Sequence, residues 1–125
     1  MAVLLLKDRI EISPYLYDDD IKQLQEIGKR EGIVIESYSP LAKARKLDDP
    51  PLVTLSQKYG KTPAQLLIRW ALQQGFIVIP KSVTRHRIEE NAQVFDFEIA
   101  EDDFRTMNTW NIGLVTGWDP RTQTY

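Results

Sequence analysis

The sequence predicts an α/β fold with parallel strands. One observation is that β-branched apolar runs occur three times, at 10–12, 33–35 and 77–79. Another is that each run passes through a polar or proline-containing turn into a segment with helical apolar spacing. The last is the repeat itself, strand then helix three times over, which predicts parallel strands joined by right-handed crossovers. A chain of 125 residues makes one domain or part of one.

In the first unit, Ile10-Glu11-Ile12-Ser13-Pro14-Tyr15-Leu16 reads as a short strand that Pro14 ends. Asp18, Asp19 and Asp20 put negative charge at a helix start, where the macrodipole favours it. Ile21, Leu24 and Ile27 recur every three residues, and Gly32 stops the helix. The aspartate triplet has no other ligand types beside it, so a helix start is preferred to a metal site.

The second unit opens with Ile33 to Tyr38 as a buried strand. A loop follows over 42–51, then a short helix from Leu52 to Gly60. Thr62-Pro63-Ala64-Gln65 is a strong start for another helix, with a cap threonine, proline at the first helical position and glutamine three residues after the cap. Leu66, Leu67, Trp70 and Ala71 supply its core face.

The third unit begins with Ile77, Val78 and Ile79, an uninterrupted run expected for a strand buried on both faces. Pro80 ends it. Thr84 is the expected N-cap of a helix that starts near Arg85 and runs to about Gln93. An extended segment over 94–99, a last short acidic helix over 100–107 and a tail with Trp110 and Trp118 complete the chain.

Composition narrows the chemistry. A net charge of −2 argues against nonspecific nucleic-acid binding. The absence of cysteine excludes thiolate catalysis, disulfides and thiolate metal sites, and a lone histidine, His86, excludes a multi-histidine site. Ala2 to Leu6 is too short to span a membrane and lacks the flanks of a signal peptide, so the cytosol is the expected location.

The densest polar cluster lies just after the third strand. Lys81, Ser82, Thr84, Arg85 and Arg87 surround a helix start with free N–H groups and a positive dipole end. A solvated basic helix start fits those residues. The convergence of hydroxyls, guanidinium groups and helix end favours an anion site, with phosphate as the anion. In parallel α/β sheets ligands gather at the carboxyl ends of the strands. Here those ends carry Ser13-Pro14-Tyr15, Tyr38-Ser39 and Lys81-Ser82. Tyr38 has a flat face suited to stacking on a ring, but from the residues alone a core tyrosine with a tethered hydroxyl is slightly favoured.

Ile79-Pro80-Lys81-Ser82, followed by Arg87 and Glu90-Asn91, resembles the NADP-binding signature of the aldo-keto reductases. The resemblance runs from Ile10 to Pro120 and takes in Ile10-Glu11-Ile12-Ser13-Pro14-Tyr15, Glu36-Ser37-Tyr38-Ser39-Pro40-Leu41, Leu47-Asp48-Asp49-Pro50 and Gly60-Lys61-Thr62-Pro63-Ala64-Gln65 with Arg69-Trp70. It implies a partial (β/α)8 TIM barrel, about the last three strand–helix units plus the C-terminal tail, so that 1–125 is the C-terminal part of an NADP-dependent oxidoreductase domain. It further implies that Lys81, Ser82, Val83, Thr84 and Arg87 hold the adenosine 2′-phosphate, that Glu90 and Asn91 hold the adenine edge, that Tyr38 stacks on nicotinamide and that Ser39 and Leu41 approach the pyrophosphate. The partner implied for the whole family is a small carbonyl substrate reduced by hydride transfer from NADPH.

Two departures limit the resemblance. The family has Asn-Gln where this chain reads Asp8-Arg9, and Arg9 is bulkier and cationic. No segment matches the family's catalytic tyrosine, lysine, aspartate and histidine, which come from the first half of the barrel. Three strands cannot close a barrel that needs eight. The expectation is therefore an inactive chain that keeps most of the cofactor wall. The alternative is a noncatalytic nucleotide-binding or interaction module that pairs with another chain or with itself through open sheet edges.

Overall fold

The computed structural model describes residues 10–38, 40–42, 45–78, 84–114 and 116, with backbone alone at Ile10 and Tyr38. The elements run β1 (Ile10–Glu11), α1 (Asp19–Glu31), β2 (Glu36–Tyr38), α2 (Pro50–Tyr59), α3 (Pro63–Gln73), β3 (Ile77–Val78), α4 (Arg85–Ala92) and α5 (Glu101–Met107). The strands form one sheet in the order β1-β2-β3. Both pairings are parallel, with Glu11 opposite Tyr38 and Ser37 opposite Val78.

Helix boundaries follow local chemistry. Asp18 caps α1 by accepting from the Ile21 N–H at 3.0 Å, and Asp19 and Asp20 fill its first turn. Gly32 closes α1 at φ 69°, a left-handed conformation that costs glycine nothing. The buried face of α1 is Ile21, Gln25 and Gly28, with Leu24 half-buried, so it is rotated from the predicted stripe and Ile27 faces outward. Gly28 permits a close approach here, because a Cβ would sit 3.0 Å from the Ile33 carbonyl oxygen and the backbone would have to shift by a few tenths of an ångström. Helix α2 starts two residues earlier than predicted, at Pro50, since prolines lacking N–H groups are tolerated in a first turn.

The predicted capping box is formed at α3. The Thr62 hydroxyl accepts from the Gln65 N–H at 3.2 Å, and the Gln65 side-chain oxygen accepts from the Thr62 N–H at 3.0 Å. Helix α3 is the centre of the core. Leu66, Leu67, Trp70 and Ala71 are fully buried and pack with Ile12, Leu52 and Met107. Each leucine, isoleucine or methionine among them contributes roughly 1.5–3 kcal/mol by leaving water, and Ala71 much less. Trp70 meets the edge of the Tyr17 ring at 5.1 Å.

A buried polar network ties α1, α3 and α5 together. The Tyr17 hydroxyl lies 3.1 Å from the Gln74 side-chain oxygen and also donates toward Gln25. Gln25 Nε2 donates to the Gln74 carbonyl at 2.8 Å. Gln74 Nε2 and Trp70 Nε1 both donate to Asn108 Oδ1, at 2.7 and 2.8 Å.

One expectation of the sequence fails. Ile77 is 41% exposed and Val78 half-buried, so the described part of β3 is not covered on both faces. Among the described residues β3 pairs only with β2, and it lies at the sheet's edge. Ile79 lies outside the described residues.

Candidate functional site

The strands end together at one margin of the sheet, because all three run parallel and in register. At the end of β1, the Ile12 carbonyl accepts from the Ser37 hydroxyl at 2.9 Å, which ties β1 to the buried middle of β2. The chain then tightens. Ser13 Oγ accepts from the Tyr15 N–H at 3.2 Å, and the Ser13 carbonyl accepts from the Leu16 N–H at 3.0 Å.

Tyr15 is the hub of this margin. Its hydroxyl donates to Asp49 Oδ2 at 2.9 Å, its ring stacks on Trp110 with centroids 6.0 Å apart, and Lys46 Nζ sits 5.9 Å from the ring centroid. Asp49 occupies the N-cap position of α2 but makes no side-chain cap bond, since its carboxylate is engaged by Tyr15. Burial, and after it the Asp49 hydrogen bond and the charges of Asp49 and Asp48, push the Tyr15 phenol well above its ordinary value. A phenol held neutral this way, with its hydrogen already engaged in a bond to a carboxylate, is a structural fastening and a poor proton donor. The Tyr15 carbonyl accepts from both Ile112 and Leu114 N–H groups at 3.1 Å, and the buried Glu11 carboxylate accepts from Thr116 N–H at 2.8 Å. The start of the tail is thereby bound back across the end of β1.

At the end of β2, Tyr38 has the backbone position expected of it, opposite Glu11; its side chain and all of Ser39 lie outside the described residues. Leu41 is half-buried and packs on the core, while Ala42 is buried at φ 49°, a turn that few side chains adopt. At the end of β3, Lys81, Ser82 and Val83 lie outside the described residues, as do Lys43 and Trp118.

Helix α4 begins where the sequence indicates, with Thr84 in extended conformation at its N-cap and Arg85 as its first residue. Thr84 and Arg87 are exposed; Glu90 and Asn91 are half-buried. Arg85 pairs with Glu89 at 3.0 Å on the solvent face. No residue of α4 is buried. The helix is held by polar contacts instead. Thr62 Oγ1 donates to Glu90 Oε1 at 2.6 Å, and Gln65 Nε2 donates to the Glu90 carbonyl at 2.9 Å. Just past the helix, Lys61 meets Asp96 at 2.7 Å and Arg69 donates to the Val94 carbonyl at 3.2 Å. Thr62 and Gln65 were legible in the sequence as a cap. Their reach to Glu90, 28 and 25 residues away, had no local signal.

A hollow of about 360 Å³ lies elsewhere, lined by Gln73, Ile99, Ala100 and Phe104 among others. It adjoins the end of α3 that leads into β3, hence the opposite margin from the strand ends. Gln73 in its lining is already engaged: it accepts from Ile99 N–H at 2.7 Å and from Arg69 at 3.0 Å, and donates to the Ile99 carbonyl at 3.1 Å.

Among the described residues no helix is long and apolar enough to cross a membrane, and no group of three or more acidic or histidine side chains is placed to hold a metal ion.

The family model described as the aldo/keto reductase family matches residues 8–112. An uncharacterized oxidoreductase of Bacillus subtilis, YtbE, is 42% identical over 113 residues, covering 90% of this chain and 39% of that protein. The glyoxal reductase of the same organism is 38% identical over 113 residues, covering 90% of this chain and 40% of that protein. Among solved structures, a mutant of Gox0644 in complex with NADPH superposes with a TM-score of 0.83 at 37% identity, covering 94% of this chain and 42% of that one. The chain thus spans about two fifths of the length of the relatives it matches.

Proposed function

This chain belongs to the aldo/keto reductase family, and from that premise we propose that it forms the cofactor-binding wall of an NADP-dependent carbonyl reductase. In this reading it is the last three strand–helix units of a (β/α)8 barrel with their tail, one C-terminal part of a domain. The reaction of the whole assembly is reduction of an aldehyde or other small carbonyl to the alcohol by hydride transfer, carried out in the cytosol.

The observation that carries the reading is the sequel to β3, where a helix whose start bears Thr84 and Arg87 follows the third parallel strand. Lys81, Ser82, Val83, Thr84 and Arg87 hold the 2′-phosphate, where helix end and fixed charges add to each other. Glu90 and Asn91 take the adenine edge. Tyr38 stacks on nicotinamide, with Ser39 and Leu41 beside the pyrophosphate. The NADPH present in the Gox0644 mutant structure supports the choice of cofactor. When bound, the cofactor supplies the hydride; these residues bind and orient it.

The chain alone lacks the family's proton-transfer group. The engaged phenol of Tyr15 does not replace it. The pure chain mixed with NADPH and a reactive aldehyde is expected to show no turnover, while calorimetry shows tighter binding of NADPH than NADH. Family-like turnover by the chain alone, or equal binding of the two cofactors, overturns the proposal.

A second reading has one observation in its favour. β1 and β3 each pair with β2 alone among the described residues. Open strand edges invite pairing with a second chain or a second copy. Light scattering separates the two readings: a dimer or larger species supports an interaction module, and a monomer that binds NADPH supports the first.

A further inference from the structure

Helix α4 presents Glu90 by an arrangement that no local feature of the helix explains. One carboxylate oxygen, Oε1, accepts from the Thr62 hydroxyl at 2.6 Å. The other, Oε2, faces His86 Nε2 at 3.8 Å, too far for a hydrogen bond, and the side chain keeps 21% exposure. The Glu90 backbone is fixed as well, because its carbonyl accepts from Gln65 Nε2 at 2.9 Å. Thr62 is itself immobilised at the start of α3, its oxygen accepting from the Gln65 N–H and its own N–H donating to Gln65 Oε1. The capping box therefore has two outward donors, one hydroxyl hydrogen and one amide N–H, and both are directed at the same residue of α4.

We propose that Thr62 and Gln65 are positioning residues for dinucleotide recognition: the α3 capping box fixes Glu90 so that its second carboxylate oxygen accepts a hydrogen bond from the exocyclic amino group of adenine. The inference rests on the reading of Glu90 as an adenine-edge residue. A carboxylate has acceptor capacity for both partners at once. Holding one oxygen on Thr62 removes the rotamer freedom that Glu90 otherwise loses on binding. Because α4 buries no residue fully against the core, these two bonds carry much of the orientation of Glu90.

The test compares, on each variant of the full chain, binding of NADPH with binding of its hypoxanthine analogue, in which an oxygen acceptor replaces the adenine amino group. Measuring both ligands on one variant cancels any loss of overall stability from the ratio. The wild-type chain is expected to favour NADPH by about tenfold, the value of one hydrogen bond to a charged group. Thr62→Val lowers that preference toward unity, and Thr62→Ser, which restores the hydroxyl, keeps it. Gln65→Glu is the second variant. It retains the acceptor for the Thr62 N–H and adds favourable charge at the helix start, yet loses the donor to the Glu90 carbonyl; it too lowers the preference. Wild-type preference that survives intact in both Thr62→Val and Gln65→Glu overturns the positioning role and leaves the adenine site standing. A wild-type chain with no preference between the two ligands overturns the adenine reading and the positioning role with it.

Discussion

Glu11 and Thr116, 105 residues apart, meet in a buried pair in which the Glu11 carboxylate accepts from both the backbone N–H and the hydroxyl of Thr116. The contact fastens the beginning of the tail to the end of β1, an outer strand of the described sheet. Glu11→Leu leaves two buried donors without an acceptor and is expected to cost roughly 2–3 kcal/mol in urea unfolding. Thr116→Val removes only the hydroxyl and leaves the backbone donor paired, so it costs about 1 kcal/mol. Equal effects of the two changes would contradict this account.

The Tyr17 hydroxyl has one hydrogen and two acceptors, the side-chain oxygens of Gln25 and Gln74. Replacing either glutamine by leucine leaves the hydroxyl a partner. Each single change is expected to cost about 1–2 kcal/mol in stability. The double change orphans the buried hydroxyl and costs at least 1 kcal/mol more than the sum. Strict additivity in a double-mutant cycle would show that the network is not shared.

Tyr15 makes stability fall at alkaline pH. Its folded phenol is raised above the ordinary 10.0, first by burial and then by Asp49. The unfolded chain therefore loses this proton first as pH rises, which draws the equilibrium toward unfolding. The stabilisation is complete below pH 10 and declines above it. Tyr15→Phe lowers stability at neutral pH, through the lost bond to Asp49, and flattens the alkaline decline. An unchanged alkaline slope in this variant would assign that decline to another group.

Arg87 is exposed on the first turn of α4, where a phosphate would complete its hydrogen bonding. Arg87→Ala is expected to weaken NADPH binding about ten- to hundredfold, the range for a charge-assisted contact. NADH, which lacks the 2′-phosphate, changes little. Parallel loss for both cofactors would move Arg87 away from that phosphate.

Helix limits were legible to within a few residues because their signals are local. Asp18, Gly32, Gly60 and the Thr62–Gln65 box each act over three or four positions, and each is found at work. The start at Pro50 was read late because Pro50-Pro51 resembles a loop until the first turn's missing donors are considered. Burial of β3 was read wrongly for another reason. A run such as Ile77-Val78 records hydrophobicity, whereas burial depends on what packs over each face of the strand, and among the described residues Ile77 is left 41% exposed. The fastening of Tyr15 to Asp49 and of Thr62 to Glu90 had no signal at all. Both join residues about thirty positions apart through side chains that also fit ordinary loop and cap roles. On α4, Arg87 was read from the basic helix start itself and Glu90 and Asn91 by resemblance, and their helix begins where the sequence put it.

Among the described residues α4 buries no side chain and is reached by ions and hydrogen bonds, which separates its fate from that of the core. Lifting it away would leave the carbon interior around Trp70 closed, so its amides exchange with solvent through a small opening and not through global unfolding. Added salt loosens the Lys61–Asp96 clamp at its far end and quickens that opening. On the proposed reading, a dinucleotide bound to the helix is expected to slow it in proportion to occupancy. Deuterium uptake in the α4 peptide, followed against salt and against NADPH, therefore reads out occupancy of this site without any catalytic turnover.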